Sequence, residues 1–397
     1  MSDQRIRVDL DTDNDAFRRS CEILRDQPFT DLTIFCNSDC SPENLARLEE
    51  TLRGKSLLTN LRVIFYSTTS TRNRPPEPQV PADSSSIITN SLEANNAAAL
   101  GRIVQQINNL EKFALGTLPD YEIGEMECAQ FWKEAAKNKS MKRLTLANLK
   151  EGAVACTVKL ALAVRTLTDL SLTESHIGSR AIDELCKWFE STMLILDDLY
   201  IGDCRYDIND VPRLVRSLRM HEALTGFHLW GQGPLNMDCA MEFKRLIAEH
   251  KRLTYLRLYC GFCDAGMSLI KEAVKGNYKV FTIKVCADEE SNPAMKNSQR
   301  QIRHYTELNS VGRSILREAA QRPNEPLESY AAWVAVLNHV VQKKEDSHMF
   351  IYSLIGEFTD CFLRSVGVVG QGGVKRPIQN ISSNQATEGP PTKKRKL

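Results

Sequence analysis

The sequence predicts an α/β chain of short strand–helix units stacked side by side, and three observations carry that prediction. A pattern of large apolar residues, L-x-x-L-x-L, recurs nine times. The copies are evenly spaced over most of the chain. Between them the apolar period changes from two residues to that of a helix.

The copies are Phe29-Leu32-Ile34, Leu58-Leu61-Val63, Leu110-Phe113-Leu115, Met141-Leu144-Leu146, Leu167-Leu170-Leu172, Leu196-Leu199-Ile201, Leu224-Phe227-Leu229, Leu253-Leu256-Leu258 and Tyr278-Phe281-Ile283. From Met141 onward their first positions follow at steps of 26, 29, 28, 29 and 25 residues. Helical spacing intervenes at Ala181, Ile182, Leu185 and Phe189, at Val211, Leu214, Val215 and Leu218, and at Phe243, Leu246 and Ile247. Neither half of such a unit buries its apolar face alone, whereas stacked units share one core. A doubly wound sheet also alternates strand and helix, but it requires neither units so even nor strands so short.

These residues resemble the leucine-rich repeat family, in its ribonuclease-inhibitor-like class, over roughly residues 29–290. The fold this implies is an α/β leucine-rich-repeat solenoid, a horseshoe of about nine strand–helix units with helical caps. The chain departs from the family in the Asn or Cys expected after each strand. Asn148, Cys36, Cys204, Cys260 and Cys286 fill that slot or a neighbour, and other copies carry Ser, Gly or Asp.

The domains follow from this reading. Residues 1–28 form an N-terminal helical cap, with a helix over 15–26 and Asp15 as its N-cap. Residues 29–295 form the solenoid, with a flexible insertion over 66–98 where Ser, Thr and Pro accumulate. Residues 296–364 form a C-terminal helical cap with helices over 298–308, 311–320, 327–341 and 349–363. Residues 365–397 form a disordered basic tail, too poor in large apolar groups to offset its ordering entropy. Its run Lys393, Lys394, Arg395 and Lys396 resembles a nuclear-import signal read by an import receptor, which implies a nuclear or nucleocytoplasmic location.

Composition narrows the function. The formal net charge is +1, so no global field draws the chain to nucleic acid or an anionic membrane. The polar opening stretch lacks the apolar core of a secretory signal, and no apolar run is long enough to cross a bilayer. The twelve cysteines are therefore expected to be reduced thiols, and the sequons at Asn138 and Asn380 to be silent.

Chemistry that could support catalysis or metal binding is sparse. Cys260-Gly-Phe-Cys263 is the one C-x-x-C, and Cys36 with Cys40 lies too far along the chain to complete a zinc set. Small apolar filling at the bend after a strand is the expected role of Cys260 and Cys263. Cys156 and Cys239 share one slot of their units, which again suggests packing. No phosphate loop, nucleophile elbow or H-E-x-x-H is present, and no enzymatic activity, metal or cofactor is expected.

In the resembled family the strands line the concave face, and residues between the leucines point outward. Those positions give Asp198, Tyr200 and Gly202, then Gly226, His228 and Trp230, then Tyr255, Arg257 and Tyr259, then Val280, Thr282 and Lys284. Tyr200, His228 and Arg257 are expected in one row, with Trp230 beside Tyr259 in the next. Arg143, Thr145 and Ala147, and Asp169, Ser171 and Thr173, are mostly small or polar. Exposed Trp, Tyr and Arg supply large rigid area plus hydrogen bonds, as interface hot spots do. The function expected is a non-enzymatic scaffold binding another protein through Asp198, Tyr200, His228, Trp230, Tyr255, Arg257 and Tyr259. Two alternatives are a GTPase-activating protein for a small nuclear-transport GTPase, whose usual acidic segment is replaced here by a basic tail, and a ubiquitin-ligase adaptor, for which no F-box is recognisable.

Overall fold

A computed structural model describes residues 5–10, 14–36, 40–53, 55–65, 94–118, 123–161, 163–191, 195–231, 234–285, 293–322, 326–342 and 347–366. The expected basic tail beyond residue 366 lies outside these, as does the expected insertion over 66–93. Residues 94–98, counted within that insertion, begin a helix.

Among the described residues eleven strands form one open, all-parallel sheet. They are β1 (Arg5–Asp9), β2 (Asp31–Cys36), β3 (Asn60–Phe65), β4 (Lys112–Thr117), β5 (Arg143–Ala147), β6 (Asp169–Thr173), β7 (His176–Ile177), β8 (Asp198–Tyr206), β9 (Gly226–Gly231), β10 (Tyr255–Leu258) and β11 (Thr282–Val285). Spatial order follows chain order, with the short β7 pairing β8 off the main path. Parallel neighbours need long crossovers. Helices fill most of these: α1 (Asn14–Asp26), α2 (Pro42–Leu52), α3 (Ala94–Gln106), α4 (Glu125–Ala135), α5 (Glu151–Ala161), α6 (Ser179–Glu190), α7 (Val211–Met220), α8 (Met237–Glu249) and α9 (Asp264–Gly276). Then α10 (Pro293–Ser310) packs on α9 and β11, so consecutive helices form one layer beside the sheet.

The apolar pattern explains the register. Leu32, Leu61, Phe113, Leu144, Leu170, Leu199, Phe227, Leu256 and Ile283 lie opposite one another across nine strands. A slip of one residue would turn every such side chain away from the core. One continuous apolar core runs from Val8 to Ile302. The helical stripe Ala181, Ile182, Leu185 and Phe189 is buried in it, as are its counterparts on α7 and α8. Most residues between the core positions remain partly or fully exposed on the opposite face of the sheet, while the glycines there, Gly116, Gly202 and Gly226, are buried.

Buried polar side chains close the turns that enter the strands. Asn138 Oδ1 accepts from the backbone N–H groups of Ser140 and Met141, while its Nδ2 donates to the carbonyls of Val104 and Ile107. His250 does the same with an imidazole: Nδ1 accepts from Arg252 and Leu253, and Nε2 contacts the His221 carbonyl at 2.8 Å. Asn277 holds Lys279 and Val280 in turn. The Asn138 amide is thus committed inside the fold.

Four departures from the sequence reading have physical causes. The last strand is framed by Val280, Ile283 and Val285, not Tyr278, Phe281 and Ile283. Val280 is fully buried, whereas Phe281 is 45% exposed and precedes the strand. Val280 therefore does not point outward, while Thr282 and Lys284 extend the rows of Tyr255 and Arg257. Before α1, the strand β1 adds to the sheet with only Val8 fully buried, too short an apolar signal to read. Helix α1 begins at Asn14, which puts Asp15 in its first turn. Asn148, Glu174 and Asp203 have φ of 54°, 51° and 53°, an extra left-handed residue after β5, after β6 and within β8. That extra residue offsets Asn148 from the slot that Ser175, Cys204 and Cys260 occupy.

The chain divides into two compact units at Ser314 and Ile315, within α11 (Arg313–Ala320). The second unit holds α12 (Pro326–Gln342), α13 (Ser347–Glu357) and α14 (Thr359–Ser365), which pack on one another. Trp333 meets Phe362 edge-on at 5.3 Å, beside buried Val336, Val340 and Leu354. The single helix expected over 349–363 is interrupted at Phe358. There the Thr359 hydroxyl donates to the Ile355 carbonyl and competes with the backbone ladder.

Candidate functional site

Strands β8, β9 and β10 run in register, which sets Asp198, Gly226 and Tyr255 in one row and Tyr200, His228 and Arg257 in the next. Parallel strands lie about 4.8 Å apart, within reach of aromatic rings. Tyr200 and His228 have ring centroids 5.6 Å apart, and His228 and Tyr255 are 5.0 Å apart. The Arg257 guanidinium lies over the Tyr255 ring at 4.6 Å, a cation–π contact. One residue pair further along, Trp230 stacks on Tyr259 at 4.7 Å with planes inclined by 30°. The expected row and the expected aromatic pair are therefore both present.

Two glycines make this arrangement possible. A Cβ on Gly202 would collide with the Tyr200 ring, and one on Gly226 would come within 2.7 Å of Asp198 Oδ1. Tyr200 and Asp198 can lie down along the sheet because their neighbours have no side chain. The sequence showed these glycines only as outward positions without chemistry.

Polar groups in the cluster are under-bonded. Asp198 Oδ1, His228 Nδ1 and Arg257 Nε are buried, and none has a hydrogen-bond partner among the described residues. His228 Nε2 stands 3.6 Å from Asp198 Oδ1, too far for a hydrogen bond. Leaving such a group unpaired costs about 1–3 kcal/mol. Burial pushes the Asp198 carboxyl up, against the opposing effect of His228 and with help from Asp169. Burial pushes the His228 imidazole down; Asp198 opposes that and Arg257 reinforces it. Burial, with the Asp203 charge, also raises the Tyr200 phenol. The result is a low-dielectric surface with a neutral imidazole and an adjacent guanidinium.

Trp230 remains 42% exposed despite its stack on Tyr259, so the pair still offers apolar area to solvent. Lys393, Lys394, Arg395 and Lys396 lie outside the described residues. Cys260 is buried, its Sγ 3.4 Å from the Leu229 carbonyl, and the hydroxyl of Tyr206 stands 4.0 Å away. Cys263 is exposed at the N-cap of α9. Burial lifts the Cys204 and Cys239 thiols to about 11, the opposite of activated sulfur.

The same sheet face carries a second feature that the sequence reading passed over. Arg62, Lys112 and Arg143 rim a groove of about 430 Å³ over β2 to β5. Arg143 is among the outward positions named from the sequence, and Arg62 and Lys112 hold outward positions of the two copies before it.

By class, the molecule is an α/β protein with an open parallel sheet in sequential strand order and a contiguous aromatic–basic cluster on the sheet face opposite helices α1 to α10. Compared with known proteins, the chain matches no family model and no curated protein.

Proposed function

We propose that the protein is a non-enzymatic leucine-rich-repeat scaffold of the ribonuclease-inhibitor-like class that binds another protein through the concave face of its solenoid. Sequential strand order, the even strand–helix alternation and the leucine register support the architecture. One observation carries the function: Tyr200, His228, Trp230, Tyr255, Arg257 and Tyr259 converge on one surface with exposed aromatic area and unpaired polar atoms. Exposed aromatics beside an arginine are the usual anchors of protein interfaces. Asp198 would fix partner orientation beside His228.

The test is affinity capture with quantitative mass spectrometry, comparing intact protein with Trp230→Ala/Tyr259→Ala. A partner held by the intact protein should fall by about tenfold or more with the double variant, the loss expected of hot-spot aromatics. Nuclear location through Lys393 to Lys396 is part of the same proposal and rests on the sequence. Deleting residues 390–397 should move a fluorescent fusion toward the cytoplasm, and undiminished nuclear accumulation would refute the import role.

A further inference from the structure

We propose that the groove over β2 to β5 is a second docking subsite that takes an acidic, extended segment of the protein partner, a reading that rests on the scaffold function above. The groove is rimmed by Arg62, Lys112 and Arg143 and floored by Thr33, Ala114 and Thr145. All three cations are exposed, and none makes an ion pair among the described residues. Nearby carboxylates are already engaged. Asp31 accepts from the Thr30 hydroxyl at 2.8 Å and from Asn60 Nδ2 at 3.0 Å. Asp169, next to Arg143 in the register, accepts from the Thr168 hydroxyl at 2.6 Å. Glu111 is held by Lys142 at 3.0 Å. Three cations thus line the groove against one lining carboxylate, Asp31, while the Glu111 charge, itself paired with Lys142, acts on Lys112 and Arg143 from outside the lining.

Elsewhere the chain does neutralise exposed arginines. On the helix layer Arg180 makes a double hydrogen bond to Glu125, at 3.1 and 2.9 Å.

Spacing and chemistry point to peptide carboxylates. Lys112 and Arg143 are register neighbours, one strand apart at about 4.8 Å. Arg62 is one strand back and two residues on, roughly 8 Å from Lys112. Alternate side chains of an extended peptide repeat every ~7 Å, so Asp or Glu on one side of a segment would meet these cations. Small floor residues leave room for its backbone. Phe113, the aromatic residue among the described lining residues, is buried in the core and offers no exposed ring for base stacking; a single-stranded nucleic acid would need such a platform. From β4 to β9 the path crosses four strand spacings, about 19 Å, or roughly six extended residues. One partner segment can therefore reach both subsites, which raises affinity through linkage.

The test uses the full chain and fluorescein-labelled hexaglutamate, read by fluorescence anisotropy. The intact protein should bind the peptide at low salt and weaken as salt rises. Arg62→Gln/Lys112→Gln/Arg143→Gln should bind it about tenfold or more weakly, with an unchanged thermal melt because all three positions are exposed. Trp230→Ala/Tyr259→Ala should bind it as the intact protein does, so failure of the aromatic reading would leave this result standing, and the reverse. No binding by intact protein, or equal binding by the triple variant, would overturn the proposal. So would tighter binding of labelled oligothymidylate than of hexaglutamate, lost in the same triple variant.

Discussion

Over β3–β5 and over β8–β10 one sheet presents two different surfaces on a common frame. Both stretches share the same leucine register and the same continuous core. Facing outward, the first offers cations above small residues, and the second offers stacked rings around a neutral imidazole and a guanidinium. Core positions therefore determine where each outward side chain stands, and the outward residues determine what it meets. Two residue sets of one strand can change independently because successive side chains point to opposite faces.

The largest expected effect tests the shared frame. Leu146→Ala on β5 and Leu258→Ala on β10 remove fully buried side chains at equivalent positions. Each should cost about 3 kcal/mol in urea unfolding, since a cavity adds to the lost transfer energy. Nearly equal losses would confirm a common core; a cost below about 1 kcal/mol for one alone would break it.

A smaller effect should separate the two regions. Gly202 on β8 and Gly116 on β4 hold the same position in their units. A Cβ on Gly202 collides with the Tyr200 ring, whereas one on Gly116 meets the Ala147 Cβ at 3.3 Å. Gly202→Ala should destabilise by about 1–2 kcal/mol as the ring is displaced, and Gly116→Ala by under about 0.5 kcal/mol. Equal costs would mean that Tyr200 does not depend on the bare neighbour.

The smallest effect concerns pH. Asn138 closes the turn before β5, and a histidine, His250, closes the one before β10. Burial lowers the His250 and His221 pKa values. The unfolded chain therefore takes up these protons first as pH falls below about 6.5. Stability contributed by the neutral rings is complete above that pH and is lost below it. His250→Asn, which copies the Asn138 solution, should flatten the decline between pH 7 and pH 5 in urea melts. An unchanged slope would assign the acid sensitivity elsewhere.

Much of this was legible in the sequence, and the exceptions are instructive. Leucine spacing locates nine strands, and the two-residue period places Tyr200, His228 and Arg257 in one row. The final strand was misframed because Phe281 is large and apolar yet precedes the strand, while the smaller Val280 fills the core. β1 escaped notice because its strand signal rests on Val8. The glycines beneath Tyr200 and Asp198 carry no chemistry of their own, so their role emerges only from the rings above them. The basic groove was readable at Arg62, Lys112 and Arg143, but a set spread over three strands and 82 residues becomes a site only once the register is known.

In the proposed function, outward side chains on β8–β10, rather than the shared frame, hold the partner. The most direct measurement of this is the amount of each captured protein retained by Trp230→Ala/Tyr259→Ala relative to intact protein, at matched thermal stability. A partner reduced by about tenfold or more is the predicted result. Equal retention of every captured protein by the folded double variant would contradict it.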